Sequence, residues 1–192
     1  SILETLENLN DIIKSGKIRS FGISNETAWG LSEYIYLAKK HNLSKPVSIQ
    51  NAYSLLNRVF EISNSEISIR ENVGLLAYSP LAGGRLSGKY LGNKKPLNTR
   101  YTMWPGRFSR HLTERGDIAV KKYNDLAKEF EIDPSVMSYA YTLNKSFVSS
   151  CIIGVTSHTQ LKKNLKCLEI KLSNELLDKI DKIHLSDTNP CV

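Results

Sequence analysis

The sequence predicts an α/β protein in which four parallel β-α units form part of a (β/α)8 barrel and a C-terminal helix follows them. Three observations lead there. Short β-rich runs alternate with longer stretches of helical period, the pattern of a parallel sheet covered by helices. All four runs end in small or polar residues, at Ser24-Asn25, Gln50-Asn51, Tyr78-Ser79, and Gly154 with Thr156. In a parallel barrel such strand ends meet on the rim that carries the site. An open doubly wound sheet would also bind ligands at strand C-termini, but its G-x-G-x-x-G turn is missing from this chain.

The elements follow in order. Over residues 1–15 the apolar positions Ile2, Leu6, Leu9, Ile12 and Ile13 recur at helical spacing, Ser1 and Glu4 fit a capping box, and Gly16 supplies a stop. "KIRSFGIS" reads as the first strand. Residues 26–42 then return to a helical period with Leu31, Tyr34, Ile35 and Ala38 inward. "PVSIQNAYS" is the second strand, "FEISNSEISIREN" its helix and "VGLLAYS" the third strand. A long loop over residues 91–113, a helix around 118–130 and another opening at Asp133-Pro134, a cap with proline at the first helical position, separate it from the fourth strand, "SSCIIGVT". Helices over about residues 159–168 and 174–183 close the chain.

The 192 residues, 41% of them hydrophobic, suffice for a substantial core, and residues 1–192 read as a single domain. No run of about 18 apolar residues and no secretory signal is visible, so a cytoplasmic location without membrane insertion is expected. Three cysteines without C-x-x-C spacing indicate neither a disulfide framework nor a metal site. The net charge of +7 is spread over helical stretches such as "AVKKYNDLAKEF", beside acidic residues, as on solvated faces. No basic run interleaved with aromatics marks a nucleic-acid groove. A complete barrel has eight strands and typically about 250 residues. Four strands and no initiator Met therefore read as half a barrel, the other half lying on polypeptide outside this chain.

Taken together, "GKIRSFGISN", "VSIQNAYSLLNR", "GLLAYSPLAGGRLSGKY" and "CIIGVTSHTQLKKNL" resemble the C-terminal half of the aldo-keto reductase family. The resemblance is strongest to the bacterial branch that is also similar to potassium-channel beta subunits, and it covers nearly the whole chain. It implies a TIM barrel that binds NADP(H) across its rim and reduces small aldehydes or ketones by hydride transfer. The four units would be strands five to eight, and the last helix the family's C-terminal extension over the barrel.

By the same resemblance, Ser24, Asn25 and Gln50 would hydrogen-bond the nicotinamide carboxamide, and Tyr78 would stack on the ring. Ser79, Pro80 and Leu81 would shape the pyrophosphate path, with Lys89 and Arg100 closing over it. Gly154, Thr156, Gln160 and Asn164 would hold the adenosine end. Lys163 stands where relatives often carry Glu. Each residue also has an ordinary reading: Ser24-Asn25 as a helix cap, Tyr78 as core, Gly83-Gly84 as loop punctuation, Lys89 and Arg100 as surface cations. Their joint order across four strand ends favours the cofactor. The loop motif Trp104-Pro105-Gly106-Arg107-Phe108 fits either a lid on the cofactor or packing against a neighbouring subunit.

The family's tyrosine acid, with its supporting lysine, aspartate and histidine, belongs to the first half of the barrel, and none of those motifs occurs here. His41, His111, His158 and His184 are expected at the surface. The chain alone is therefore expected to be inactive. An unclosed barrel would also leave strand edges and one apolar face open, inviting self-association. Truncation of a parent reductase is the favoured origin. The alternatives are pairing with a second half, and a non-catalytic binding or assembly module like the beta subunits.

Overall fold

A computed structural model describes residues 1–107 and 109–191, with residue 93 defined by its backbone alone; Phe108 of the loop motif lies outside them. The chain runs α1 (Ile2–Lys14), β1 (Gly22–Ser24), α2 (Ala28–Lys40), β2 (Ser48–Ala52), α3 (Asn64–Glu71), β3 (Gly74–Tyr78), α4 (Arg100–Met103), α5 (Glu114–Glu129), α6 (Pro134–Leu143), β4 (Val148–Cys151), α7 (His158–Leu165) and α8 (Asn174–Ser186). The boundaries have local causes. Ser1 and Glu4 close the expected capping box on α1, and Thr27, Thr113, Asp133, Ser157 and Ser173 each accept from a first-turn amide of the helix they precede. Such caps contribute roughly 1 kcal/mol each.

The four strands lie in the order β1-β2-β3-β4, every pair parallel. A sheet whose spatial order equals its sequence order is wound in one direction, as in a barrel; the doubly wound alternative reverses at a switch point. The register separates two faces. Ile23, Ile49, Leu75 and Val148 stand in one row, and Ile49 and Leu75 are completely buried in the core shared with Leu31, Val120, Met137 and Tyr141. Each such side chain contributes about 1.5–3 kcal/mol by burial.

The opposite face carries Gly22, Ser48 and Gly74, then Ser24, Gln50, Leu76 and Ser150, then Ala52 and Tyr78. The expectation of an apolar uncovered face is thus corrected: small and polar side chains fill it, with Leu76 its only aliphatic residue larger than alanine. Two glycines there are required by packing. A Cβ on Gly22 would strike the Ser48 hydroxyl, and one on Gly74 the Ser149 hydroxyl.

Several boundaries differ from expectation. β1 keeps only the last three residues of "KIRSFGIS", since only residues 22–24 align with a neighbour and, among the described residues, the outer edge has none. β4 ends at Cys151, and after Ile152 donates to the Ala77 carbonyl the chain leaves the sheet with Ile152 and Val155 exposed. The single helix expected over residues 60–72 splits into a 3-10 turn, Val59–Glu61, and α3, because Ser63 is non-helical at φ −143° and ψ −38°. α8 packs on α5, and the segment after it crosses the loop that follows β2, where Cys191 donates to the Leu56 carbonyl at 3.2 Å.

Candidate functional site

The C-terminal ends of β1, β2 and β3 are joined by one run of side-chain hydrogen bonds. The Tyr78 hydroxyl donates to Asn25 Oδ1 at 2.8 Å, Asn25 Nδ2 donates to Ser24 Oγ at 3.2 Å, and Ser24 Oγ donates to the Gln50 carbonyl at 3.2 Å. Asn25 reaches this position with φ at 56°, a left-handed conformation that asparagine tolerates better than most residues. Its amide also donates to the Gln50 carbonyl at 2.9 Å. The helix-cap reading of Ser24-Asn25 does not hold, because Thr27 caps α2 by accepting from the Gly30 amide at 3.1 Å. Asn51 alternates to the helix side, where its Nδ2 pins the Glu26 carbonyl at 3.1 Å. Ser24, Gln50 and Tyr78 therefore share a ledge on the open face.

Beyond Tyr78 the backbone turns sharply, with positive φ at Ser79, Ala82, Gly83 and Gly84. Pro80 is buried and Leu81 packs on the core. Arg85, one of the two cations ending this stretch, turns into the protein. It is 4% exposed, pairs with Asp117 and donates to the His111 carbonyl at 2.7 Å. Lys89 instead folds back over Gly84, its ammonium 3.4 Å from where a Cβ would stand and 5.0 Å from the centre of the Tyr90 ring. Arg100 opens α4 and is exposed. Tyr101, whose hydroxyl donates to the Ala82 carbonyl at 3.3 Å, is pushed up to about 12 mainly by burial and so keeps its proton.

On the last unit, Gly154 lies in open space. Thr156 donates to Gln160 Oε1 through both its amide, at 2.9 Å, and its hydroxyl, at 3.2 Å, so these two residues meet at the start of α7. Asn164 is 2% exposed and its Nδ2 has no partner among the described residues. It lines a cavity of about 250 Å³ with Tyr139, Cys151 and Cys167. Burial pushes the Cys151 thiol up to about 12, which makes it a poor nucleophile. Lys163 pairs with Asp133 at 3.2 Å.

Not all histidines are at the surface. His41 and His158 are exposed, but His184 is half-buried and His111 is 5% exposed. Burial, together with Arg110, Arg85 and Arg100, lowers His111 to about 4, so its ring is neutral. Sequence reasoning also missed a buried ionic cluster behind the second strand. Arg58, 7% exposed, donates to Glu61 through Nε at 3.0 Å and Nη2 at 2.7 Å, and to Asp181 of α8 through Nη1 at 2.7 Å. Tyr53 donates to the same Glu61, and Lys145 stands 3.5 Å away. Burial alone would raise the Glu61 carboxyl, but hydrogen bonds from Arg58 and Tyr53 bring it below its ordinary value. The one available signal was an Arg and a Glu three residues apart in "NRVFE".

Among the described residues no helix is long and apolar enough to cross a membrane, and no group of three or more His, Cys, Asp or Glu is placed to hold a metal. Four parallel strands in sequence order, with a polar ledge at their C-termini, define an α/β fold consistent with part of a β/α barrel. The chain belongs to the aldo/keto reductase family, whose model matches residues 1–185. It is 44% identical over 190 residues to "Protein tas" of Escherichia coli K12, covering 99% of this chain and 55% of that protein. It is 34% identical over 195 residues to an aldo-keto reductase of Babesia bovis, covering 97% of this chain and 68% of that one. A putative voltage-gated potassium channel subunit beta of Schizosaccharomyces pombe is 30% identical over 186 residues, covering 94% of this chain and 54% of that protein. The chain thus spans about half the length of two of these three relatives.

Proposed function

We propose that this chain is the NADP(H)-gripping half of an aldo-keto reductase, its strands corresponding to strands five to eight of the family barrel. In that reading the bound nicotinamide supplies or accepts the hydride, and the proton donor for the aldehyde or ketone lies on polypeptide outside these residues. What carries the reading is the hydrogen-bonded row Tyr78–Asn25–Ser24 beside Gln50. It offers an aromatic platform together with amide and hydroxyl groups matched to a carboxamide, which both donates and accepts.

The rest of the chain suits the remainder of the dinucleotide. Small residues and positive φ after Tyr78 let the backbone approach a pyrophosphate, while Lys89 and Arg100 supply charge. The α7 N-terminus, with Thr156 and Gln160, suits a 2′-phosphate. The Nδ2 of buried Asn164 has no acceptor among the described residues, and an adenine nitrogen would provide one. Titration of the purified chain with NADPH, followed by the cofactor's fluorescence, tests this. Saturable binding is expected; a folded chain that shows none at millimolar NADPH contradicts it.

A second reading, an assembly module, is favoured by the sheet itself, whose outer strands β1 and β4 each pair on one side only among the described residues. It predicts concentration-dependent association in sedimentation, and a monomer at all concentrations removes it.

A further inference from the structure

The guanidinium of Arg110 stands over the Tyr78 ring, with its central carbon 5.7 Å from the ring centre. Arg110 belongs to the loop between β3 and α5, yet it reaches back across the ledge to the last residue of β3. The arm is held from behind. Arg110 Nε donates to His111 Nε2 at 3.3 Å, and the His111 carbonyl accepts from buried Arg85 at 2.7 Å. The His111 ring lies against Gly83, 3.3 Å from where that residue's Cβ would be. A neutral imidazole accepting at Nε2 carries its proton on Nδ1, and Nδ1 is buried without a partner among the described residues. The Tyr78 ring is fixed at its far end by the bond to Asn25, so the face under Arg110 is presented in a set direction.

We propose that Arg110 is a placeholder for the nicotinamide: in the empty protein it covers the face of Tyr78 on which the cofactor ring stacks, and it swings away when that ring enters. This rests on Tyr78 being the nicotinamide platform. A planar, delocalised cation and a planar nicotinamide use one surface of the phenol in the same way, so the two exclude each other. Exposed Arg110 is free to leave towards solvent, whereas His111 and Arg85 keep the root of the arm in place. The competition concerns the nicotinamide alone. The adenosine end, at α7, is not touched by the arm.

Binding of two probes distinguishes the placeholder from a phosphate clamp: NADPH, and 2′,5′-ADP, which carries the adenosine end without the nicotinamide. Removing a cation–π contact of this exposed kind predicts that Arg110→Ala binds NADPH about two- to fivefold more tightly than the parent chain. Its affinity for 2′,5′-ADP should be unchanged. Arg70→Ala, which removes an exposed cation from α3, should bind both probes like the parent. Saturating NADPH, but not 2′,5′-ADP, should also speed tryptic cleavage after Arg110. Equal NADPH affinity in parent and Arg110→Ala overturns the placeholder and leaves the cofactor reading standing. Weaker binding of both probes by Arg110→Ala makes Arg110 a phosphate clamp and overturns it as well. Failure of every folded variant to bind NADPH removes the cofactor reading, and the placeholder with it.

Discussion

Tyr78 reaches across β2 to donate its hydroxyl to Asn25 at the end of β1, a 2.8 Å bond between strands that are not neighbours in the sheet. The bond ties the aromatic ring to Asn25, which in turn donates to Ser24.

Separating the two parts of Tyr78 is the first prediction. Tyr78→Phe keeps the ring and loses the bond, and should bind NADPH within about threefold of the parent, since an exposed neutral hydrogen bond contributes at the low end of ~0.5–1.5 kcal/mol. Tyr78→Ala loses the platform and should weaken binding about two- to tenfold, the worth of an aromatic stack. Fluorescence titration of the two variants checks the order.

The glycine row of the open face gives a stability test. Gly74→Ala drives a methyl into the Ser149 side chain and should cost about 1–3 kcal/mol in urea unfolding. Adding Ser149→Gly removes the atom that is struck and should recover most of the loss, a coupling expected only for residues in contact. Additive losses would mean that the two side chains do not meet.

The ionic cluster behind β2 makes stability fall in acid. Glu61 is lowered in the folded protein relative to its unfolded value of 4.5, so its contribution is complete above about pH 4.5. It disappears as pH falls through the lower folded value, because the unfolded chain then binds more protons. Glu61→Gln should be less stable than the parent at pH 7, with the gap narrowing below pH 4.5. Denaturant midpoints taken across that range measure it.

His111 acts in a different window. Its folded value of about 4 lies below the unfolded 6.5, so the unfolded chain takes up a proton first as pH drops. Stability due to this group is full above pH 6.5 and declines towards pH 4, with a slope of at most about 1.4 kcal/mol per pH unit. His111→Gln should flatten the stability profile between pH 5 and 6.5 while leaving the Glu61 effect in place.

Much of this was legible in the sequence because it is local. The Ser1/Glu4 capping box, the Asp133-Pro134 helix start and the polar strand ends are written within a few residues of where they act. The ledge could be read because each strand contributes its own last residues and a parallel sheet in sequence order aligns them. What escaped depends on partners far along the chain. The burial of Arg85 depends on Asp117 and His111, more than twenty residues away along the chain. The short β1 and the early end of β4 follow from edges with a neighbour on one side only, and strand propensity carries no information about that. The open face was expected to be apolar because half a barrel would leave its interior uncovered; the alternation of Gly22 with Ile23, and of Gly74 with Leu75, shows that each strand divides its character between two sides.

The most direct test is a crystal structure of this chain with NADP⁺ bound. The account predicts the nicotinamide ring against Tyr78, its carboxamide within hydrogen-bond reach of Asn25 and Gln50, and Arg110 displaced from the phenol. A dinucleotide bound elsewhere, with Ser24, Asn25, Gln50 and Tyr78 untouched, would contradict it.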